Sequence, residues 1–453
     1  MREGGVLEVK RRRAPGYPFP AVRAFCFSFI CVVCYCLFFP LFASAEERVV
    51  SLDDAYRMAF ASHERVKIAE ESLLQARAGV GIATARMLPS VVAEGSYTQF
   101  AEQKRTTIFL LQPDKTKSFN LRVTQPLFAG GTLWSGRKQA RMAEEGSKLG
   151  MKATKEVVML DTGRAYFNVL KAERNLQIKE AALKRAGERR KVASSRYEVG
   201  EVTKSVLLRA EAEVAGAEAD LMTARNLLND SMDLLKRIIG VEGEIAVADP
   251  SLHPHAAKGA EELIEEAIKA RRDYRQTLIE ENIAHEGVKS ARGGFLPTLS
   301  LEGLYSGRDQ EPSTTFLLNE SVSGTLLFSY PLFEGGLKRA ELKEAKSRRR
   351  EAALRRTSLR RDIELEVRSS LNTVETFKAV TASYKKQLDF SQENYAMVFK
   401  QFKYGLATSV DVIDADTILV EAQSGLMSAR YDLQIALQEL KFAVGTLLDE
   451  WER

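Results

Sequence analysis

The second half of this chain repeats the first at a fixed offset of 205 residues. Gln125-Pro126-Leu127-Phe128-Ala129-Gly130-Gly131 returns as Tyr330-Pro331-Leu332-Phe333-Glu334-Gly335-Gly336. The register then holds without a gap. Gly200 maps to Gly405, Thr203 to Thr408, Leu221-Met222-Thr223-Ala224-Arg225 to Leu426-Met427-Ser428-Ala429-Arg430, and Gly240 to Gly445. Upstream, Leu88-Pro89 matches Leu296-Pro297 with a slip of three residues, so a short loop differs in length there. A repeat this long is one architectural module used twice. The expected organisation is a leader over 1–45, repeats over 46–240 and 261–453, and a linker over 241–260.

The leader is set apart by its composition. Arg11, Arg12, Arg13 and Arg23 form a basic stretch, and an uncharged apolar run follows from Ala24 to Phe39. Pro40 breaks it, and Ala43-Ser44-Ala45 offers small residues for cleavage before Glu46. This is the pattern of a secretory signal peptide. The alternative is an uncleaved anchor, although 16 residues is short for a membrane span. All four cysteines lie in this segment, and none stands in a lipid-attachment pattern. The mature chain then has no disulfide, thiolate or cysteine metal site. Six of the 66 Lys and Arg and two of the 61 Asp and Glu also lie there, which leaves 60 against 59. That balance gives no general pull toward nucleic acid. No later stretch approaches 18 apolar residues, so a membrane crossing requires β-strands.

Proline placement divides the rest. The mature chain has eight, and none falls in 127–249 or 332–453. Blocks of this kind, rich in Ala, Glu, Lys, Arg and Leu, read as long helices. Leu207, Val214, Leu221, Leu228 and Leu235 recur every seven residues, with Ala210, Ala217, Ala224, Ser231 and Ile238 three later. The second copy has Val412, Leu419, Leu426, Leu433 and Leu440 with Ala415, Ala422, Ala429, Ala436 and Ala443. Large residues at one seam position and small at the other suit helices packed closely side by side. Each block is broken once, at Gly200 and Gly405, and Thr203 and Thr408 follow as N-cap candidates. A closing glycine and then a capping hydroxyl ends one helix and starts an antiparallel one. Each block is therefore a helical hairpin, its first arm running from about 134 to 199 or 339 to 404, roughly 100 Å long.

Between Pro89 and Pro126 the period changes to two. Phe119, Leu121 and Val123 alternate with Asn120, Arg122 and Thr124. In the second copy Leu299, Leu301, Gly303 and Tyr305 alternate with polar residues, as do Val322, Gly324, Leu326, Phe328 and Tyr330. Each repeat thus offers two strands of about ten residues around a polar loop near 100–117 or 307–319. Apolar-out, polar-in strands of this length suit a membrane β-barrel, and a half-buried soluble hairpin gives the same pattern. Four strands cannot close a barrel with an open lumen, so the barrel reading requires oligomerisation.

No nucleophile-elbow, Walker or zinc-ligand spacing appears, so no enzyme chemistry and no cofactor is expected. His253 and His255 form a His-x-His in the proline-bearing linker, and no metal site is assigned to them. Asp411 and Asp414 lie three apart on one face of a helix that starts just after the turn. They read either as a charged ring at a mouth or as acids that complement the helix dipole.

The mature chain resembles the TolC-like outer-membrane efflux proteins over nearly all of 50–448. The resemblance rests on the paired Pro-Leu-Phe-x-Gly-Gly strand-to-helix junctions, which hold Pro126, Gly130, Gly131, Pro331, Gly335 and Gly336. It rests also on the run Tyr404-Gly405-x-x-Thr408-x-x-Asp411-Val412-x-Asp414-Ala415, which leads into the heptads. The resemblance implies a mixed α/β membrane protein: a homotrimer with a 12-stranded β-barrel set in outer-membrane lipid and a 12-helix α-barrel through the periplasm. The cell is then a Gram-negative-type bacterium. The implied partners are a periplasmic membrane-fusion adaptor and an inner-membrane transporter of the RND, ABC or MFS type. Cargo ranges from drugs and metals to proteins, as in type I secretion.

The resemblance makes Asp411 and Asp414 lining residues of a periplasmic gate, where six crowded carboxylates would raise some pKa values and attract cations. It makes the turns at Gly200, Thr203, Gly405 and Thr408 the adaptor-docking tips. The first copy departs from the pattern, with Val206 and Arg209 where the second has Asp411 and Asp414. Members often carry an acid at the Val206 position as part of a polar lock between hairpins. Arg209 is instead the candidate partner of Asp411 or Asp414 on a neighbouring hairpin. The competing expectation is a periplasmic coiled-coil scaffold without channel activity, which has no need for matching apolar strand faces in both repeats.

Overall fold

The computed structural model describes residues 48–250, 258–314 and 318–452. The leader with its cysteines, and His253, Pro254 and His255, lie outside the described residues. The chain divides into two units. The smaller comprises residues up to Arg48 with Gly243–Ile245, and the larger is Val49–Glu242 with Ala246–Arg453. All the elements that follow belong to the larger unit.

Its first copy runs α1 (Leu52–Ser62), α2 (Glu64–Ala85), β1 (Ser90–Gln99), β2 (Lys115–Ala129), α3 (Thr132–Glu198) and α4 (Lys204–Ile239). The second runs α5 (Ala260–Ala270), α6 (Arg272–Gly293), β3 (Thr298–Glu311), β4 (Glu320–Ser329), α7 (Leu337–Lys403) and α8 (Ser409–Val444), and a short α9 (Leu447–Trp451) ends it. The long arms α3 and α7 have 67 residues each and start two residues before their expected positions. Helices α1, α2, α5 and α6 were not foreseen. Two strands are also longer than expected, β2 at 15 residues and β3 at 14. The loops between strands shrink accordingly to 100–114 and 312–319, and the first holds a small strand pair, Lys104–Arg105 with Leu110–Gln112.

The helices form a wall. Arm α3 packs on α4 and α8 along one part of its length, and on α2 and α6 along the other. Arm α7 packs on α8 and on α6. The order is therefore α4–α3–α8–α7 toward the helical turns and α2–α3–α6–α7 toward the sheet. Helix α8 lies between two long arms, whereas α4 is an edge. The heptads register this difference. Val412, Leu419, Leu440 and all five seam alanines of α8 are buried. In α4 only Ala210, Ala224 and Leu235 of the ten seam residues are buried, and Leu208, Met222, Leu227 and Leu234 face outward.

Three clusters tie the wall together. Tyr56, Met159, Leu160, Leu447 and Leu448 join α1 and α9 to the middle of α3. Leu263, Ile264 and Ala267 of α5 cover Ile363, Val367 and Val374 of α7 and Ala436, Leu440 and Ala443 of α8. Tyr395 and Phe402 of α7 pack on Val412, Ala415 and Leu419 of α8 near the turns. Between the first two clusters, Arg272 is buried against Glu156 at 2.8 Å and also bonds Asp449. The neighbouring Arg271 reaches Glu366 and Asp273 and donates to the Ala443 carbonyl. These two arginines start α6 by fastening it to α3, α7 and the end of α8.

Candidate functional site

The four-stranded sheet is antiparallel in the order β1-β2-β3-β4. Its register sorts the side chains. Val91, Val123, Gly303 and Gly324 form one cross-strand row, and Ala93, Leu121, Tyr305 and Val322 form the next. Leu301 faces Leu326, and Leu299 lies between Phe128 and Phe328. Strand residues alternate faces, so these rows share one side, which is apolar. The opposite side carries the rows Glu94, Asn120, Ser306 and Ser321, and Ser90, Thr124, Glu302 and Thr325. Arg122 lies on this polar side, as expected, and pairs with Glu302 at 3.5 Å. A hydrogen bond of 2.7 Å joins Ser96 and Ser118 there. The apolar side is uncovered: Val322 is 81% exposed and Phe328 64%. Among the described residues the outer edges of β1 and β4 have no partner strand.

At the other end stand the two helical turns. Both close α3 and α7 with a left-handed glycine, Gly200 at φ 73° and Gly405 at φ 77°. The Glu201 amide donates to the Arg196 carbonyl and the Leu406 amide to the Gln401 carbonyl, the six-to-one bond of a Schellman ending. Arg196 also ties the turns to each other, with a 3.3 Å bond to the Phe402 carbonyl and its guanidinium over the Phe402 ring. Val199, Tyr404 and Leu406 are each more than 70% exposed here.

The two threonines differ in what they do. Thr408 and Asp411 form a reciprocal capping box on α8. Thr203 occupies the N-cap of α4, but its side chain makes no capping bond. The residue three along is Val206, which cannot reciprocate. Thr408→Ala is therefore expected to cost about 1 kcal/mol and Thr203→Ala a few tenths, measured as thermal unfolding followed by circular dichroism.

The Thr408 bonds also hold the Asp411 carboxyl below its ordinary range. Within one protomer this is opposite to the rise expected of crowded carboxylates. Asp414 is exposed on the next turn, and Arg209 is exposed on α4. Neither Asp411 nor Asp414 forms an ion pair with Arg209 in the protomer, among the described residues.

A buried charge cluster lies deeper, and sequence reasoning missed it. Asp416 is 6% exposed. It accepts from Arg185 Nε at 2.5 Å and from Arg189 Nη1 at 2.9 Å, both on α3. Arg189 reaches on to Glu213 of α4 at 3.2 Å. The Arg185 guanidinium lies over the ring of Tyr395 on α7. One cluster thus links all four helices of the wall. Burial opposes the Arg189 charge, but Asp416 and Glu213 outweigh it and hold its pKa above the ordinary guanidinium value. Burial pushes the Glu213 carboxyl up, with Arg189 pulling the other way. Asp416 is two residues from Asp414, so the only sequence signal was a third acid in an acidic run.

Both glycine pairs stand at the strand-to-helix junctions, left-handed at Gly130, Gly131, Gly335 and Gly336. Pro126 is within β2, at a register shift, and Pro331 follows β4. Among the described residues no group of His, Cys, Asp and Glu is arranged to hold a metal ion, and no helix is long and apolar enough to cross a membrane.

A two-faced sheet continued by a wall of paired long helices defines the class of outer-membrane channels with a helical extension. The sequence matches the family described as outer membrane efflux protein over residues 55–241 and 263–446, and the chain belongs to that family. It is 27% identical to the outer membrane protein TolC of Escherichia coli K12 over 346 residues, which span 74% of this chain and 70% of the relative. It is 23% identical to the alkaline protease secretion protein AprF of Pseudomonas aeruginosa, covering 72% and 69%. The fold superposes on the channel-forming protein CusC with a TM-score of 0.77 at 18% identity, over 88% of this chain and 93% of the other. The outer membrane protein VceC of Vibrio cholerae gives 0.75 at 17%, over 87% and 96%. The protein is thus an outer-membrane export channel of the TolC-like fold, in a family of channels rather than enzymes.

Proposed function

We propose that this protein is the outer-membrane duct of a tripartite export system, working as a homotrimer and as a passive conduit with a periplasmic gate. The observation that carries the reading is the sheet: one apolar side, one polar side and two unpaired edges. Three such sheets joined β4 to β1 make a closed barrel of 12 strands, which removes every edge and sets the apolar side in lipid. The same logic applies below. Leu332 and Phe333 at the second junction are almost fully exposed, whereas their counterparts Leu127 and Phe128 adjoin β3. The edge helices α4 and α7 carry outward apolar residues, including Met222, Leu227, Phe390 and Met397. A ring of three supplies the missing neighbour at each place and yields a tunnel of 12 helices.

In this reading 1–45 is a signal peptide, and 46–240 and 261–453 are two efflux repeats joined by 241–260. The exposed apolar turns at Gly200–Thr203 and Gly405–Thr408 dock a periplasmic adaptor. The adaptor connects the duct to an inner-membrane transporter, and the transporter sets the cargo. Asp411 and Asp414 ring the periplasmic mouth and favour cations, with Arg209 of one hairpin facing them from the next.

The test is planar-bilayer conductance of the purified mature protein. Discrete cation-preferring channels are expected. Asp411→Asn with Asp414→Asn should reduce the cation preference, and Arg209→Ala should raise conductance. Recovery of the protein in the soluble fraction, with no channels, would favour the coiled-coil scaffold instead.

A further inference from the structure

The junction between sheet and helices holds a groove of about 480 Å³ lined by Trp134, Arg137, Lys138, Arg141, Glu286 and Lys289. Four cations face one carboxylate. Lys138 and Lys289 both bond the Glu286 carboxylate, at 2.7 and 2.9 Å, and hold its pKa down to about 2. That leaves Arg137, which is bonded through Nε to Thr84, and Arg141, which has no partner among the described residues. Trp134 stands beside them 66% exposed, shortly after the exposed Leu127 and Phe128 near the end of β2.

The second repeat carries part of the same face, with Leu342 where the first has Arg137. At the 205-residue offset Lys138 returns as Lys343 and Arg141 as Lys346, and Trp134 is replaced by Arg339. All three are exposed or free of ion partners in the protomer, among the described residues. Positions 339, 343 and 346 follow helical spacing and lie on one side of α7. Arg141 is nine residues on from Thr132, the start of α3, roughly 14 Å along its axis. The whole face is therefore within side-chain reach plus a screening length of the sheet's end.

We propose that this groove, with its counterpart on α7, binds the phosphate of an anionic lipid headgroup in the periplasmic leaflet, with the Trp134 indole against the glycerol and upper acyl region. The proposal rests on the reading of the sheet as a membrane barrel. An indole with one apolar and one polar edge belongs at that depth. Lysines and arginines near a bilayer surface attract anionic lipids. The excess of free cations selects a net-negative headgroup over a zwitterionic one.

Trp134 is also the reporter, because the chain has only two tryptophans. Trp451→Phe keeps an aromatic ring against Phe60 and Tyr56 and loses one bond to Asp53. This variant of the mature protein is reconstituted in phosphatidylcholine vesicles containing a small fraction of brominated phosphatidylglycerol or, separately, brominated phosphatidylcholine. Quenching of Trp134 should show brominated phosphatidylglycerol favoured several-fold. Arg141→Gln, at an exposed unpartnered position, should lower that preference about five-fold, the usual weight of one cation near an anionic surface. Inorganic phosphate in the buffer should not displace the lipid.

Equal quenching by the two brominated lipids would overturn the proposal. So would displacement by inorganic phosphate, which would mark a free-anion site. Channels that conduct while Trp134 is unquenched by either lipid would sink the lipid site and leave the duct standing. Absence of both conduction and quenching would instead remove the membrane reading beneath it.

Discussion

Asp416→Ala should destabilise the protein by about 3–5 kcal/mol, while replacing the whole buried cluster with apolar or neutral groups should cost far less. Asp416 is the shared acceptor of Arg185 and Arg189. Removing it leaves two guanidinium groups in the interior with only Glu213 to compensate. Arg185 Nη2 is already buried without a hydrogen-bond partner, so the cluster is short of acceptors before Asp416 is removed. The comparison is Arg185→Met, Arg189→Met, Asp416→Leu and Glu213→Gln together. That variant avoids the desolvation of four charges and keeps the volume near native. Denaturant unfolding followed by far-UV circular dichroism reads both. If the single variant unfolds no more easily than the quadruple one, the cluster is solvated and not a structural link.

The second large effect is at the first junction. Gly130→Ala should cost more than 4 kcal/mol, a loss reserved for overpacking or a broken network. Gly131→Ala should cost about 1–3 kcal/mol. Both glycines have positive φ, 59° and 79°, so both substitutions carry the left-handed strain of an L residue. They differ in their surroundings. A Cβ on Gly130 would lie 2.1 Å from the Gly293 carbonyl oxygen, a backbone atom that cannot rotate away. A Cβ on Gly131 would meet nothing within 4 Å. Thermal unfolding of the two variants side by side isolates the clash from the strain. Equal losses would mean that α6 moves aside readily and that the close approach is not required.

The long helices, their ends and the two-sided strands were legible because each is a local matter. Proline exclusion, heptad spacing, a closing glycine and period-two alternation all act within a few residues. Helices α1, α2, α5 and α6 carried no comparable signal. Their 11 or 22 residues hold no sustained heptads, and tertiary contacts such as Arg271 and Arg272 hold α6 in place. Thr203 and Thr408 both occupy N-caps, and they differ because Val206 stands where the second copy has the reciprocating Asp411. The Asp416 cluster was out of reach for a different reason: its bonds join residues 231 and 227 positions apart.

The sequence by itself determined that one module occurs twice, that each module holds a strand pair and a helical hairpin, and where the arms of each hairpin meet. Only the tertiary structure decided that the two copies are unequal. The same Leu/Ala heptads are buried in α8 and half-open in α4, because α8 lies between two long arms and α4 packs along only one. The same Pro-Leu-Phe segment extends β2 against β3 in the first copy, and follows the free-edged β4 in the second. Local periodicity tells a residue which face of its own element it occupies. What covers that face depends on the order in which elements pack, and that order is set by contacts distant in the chain.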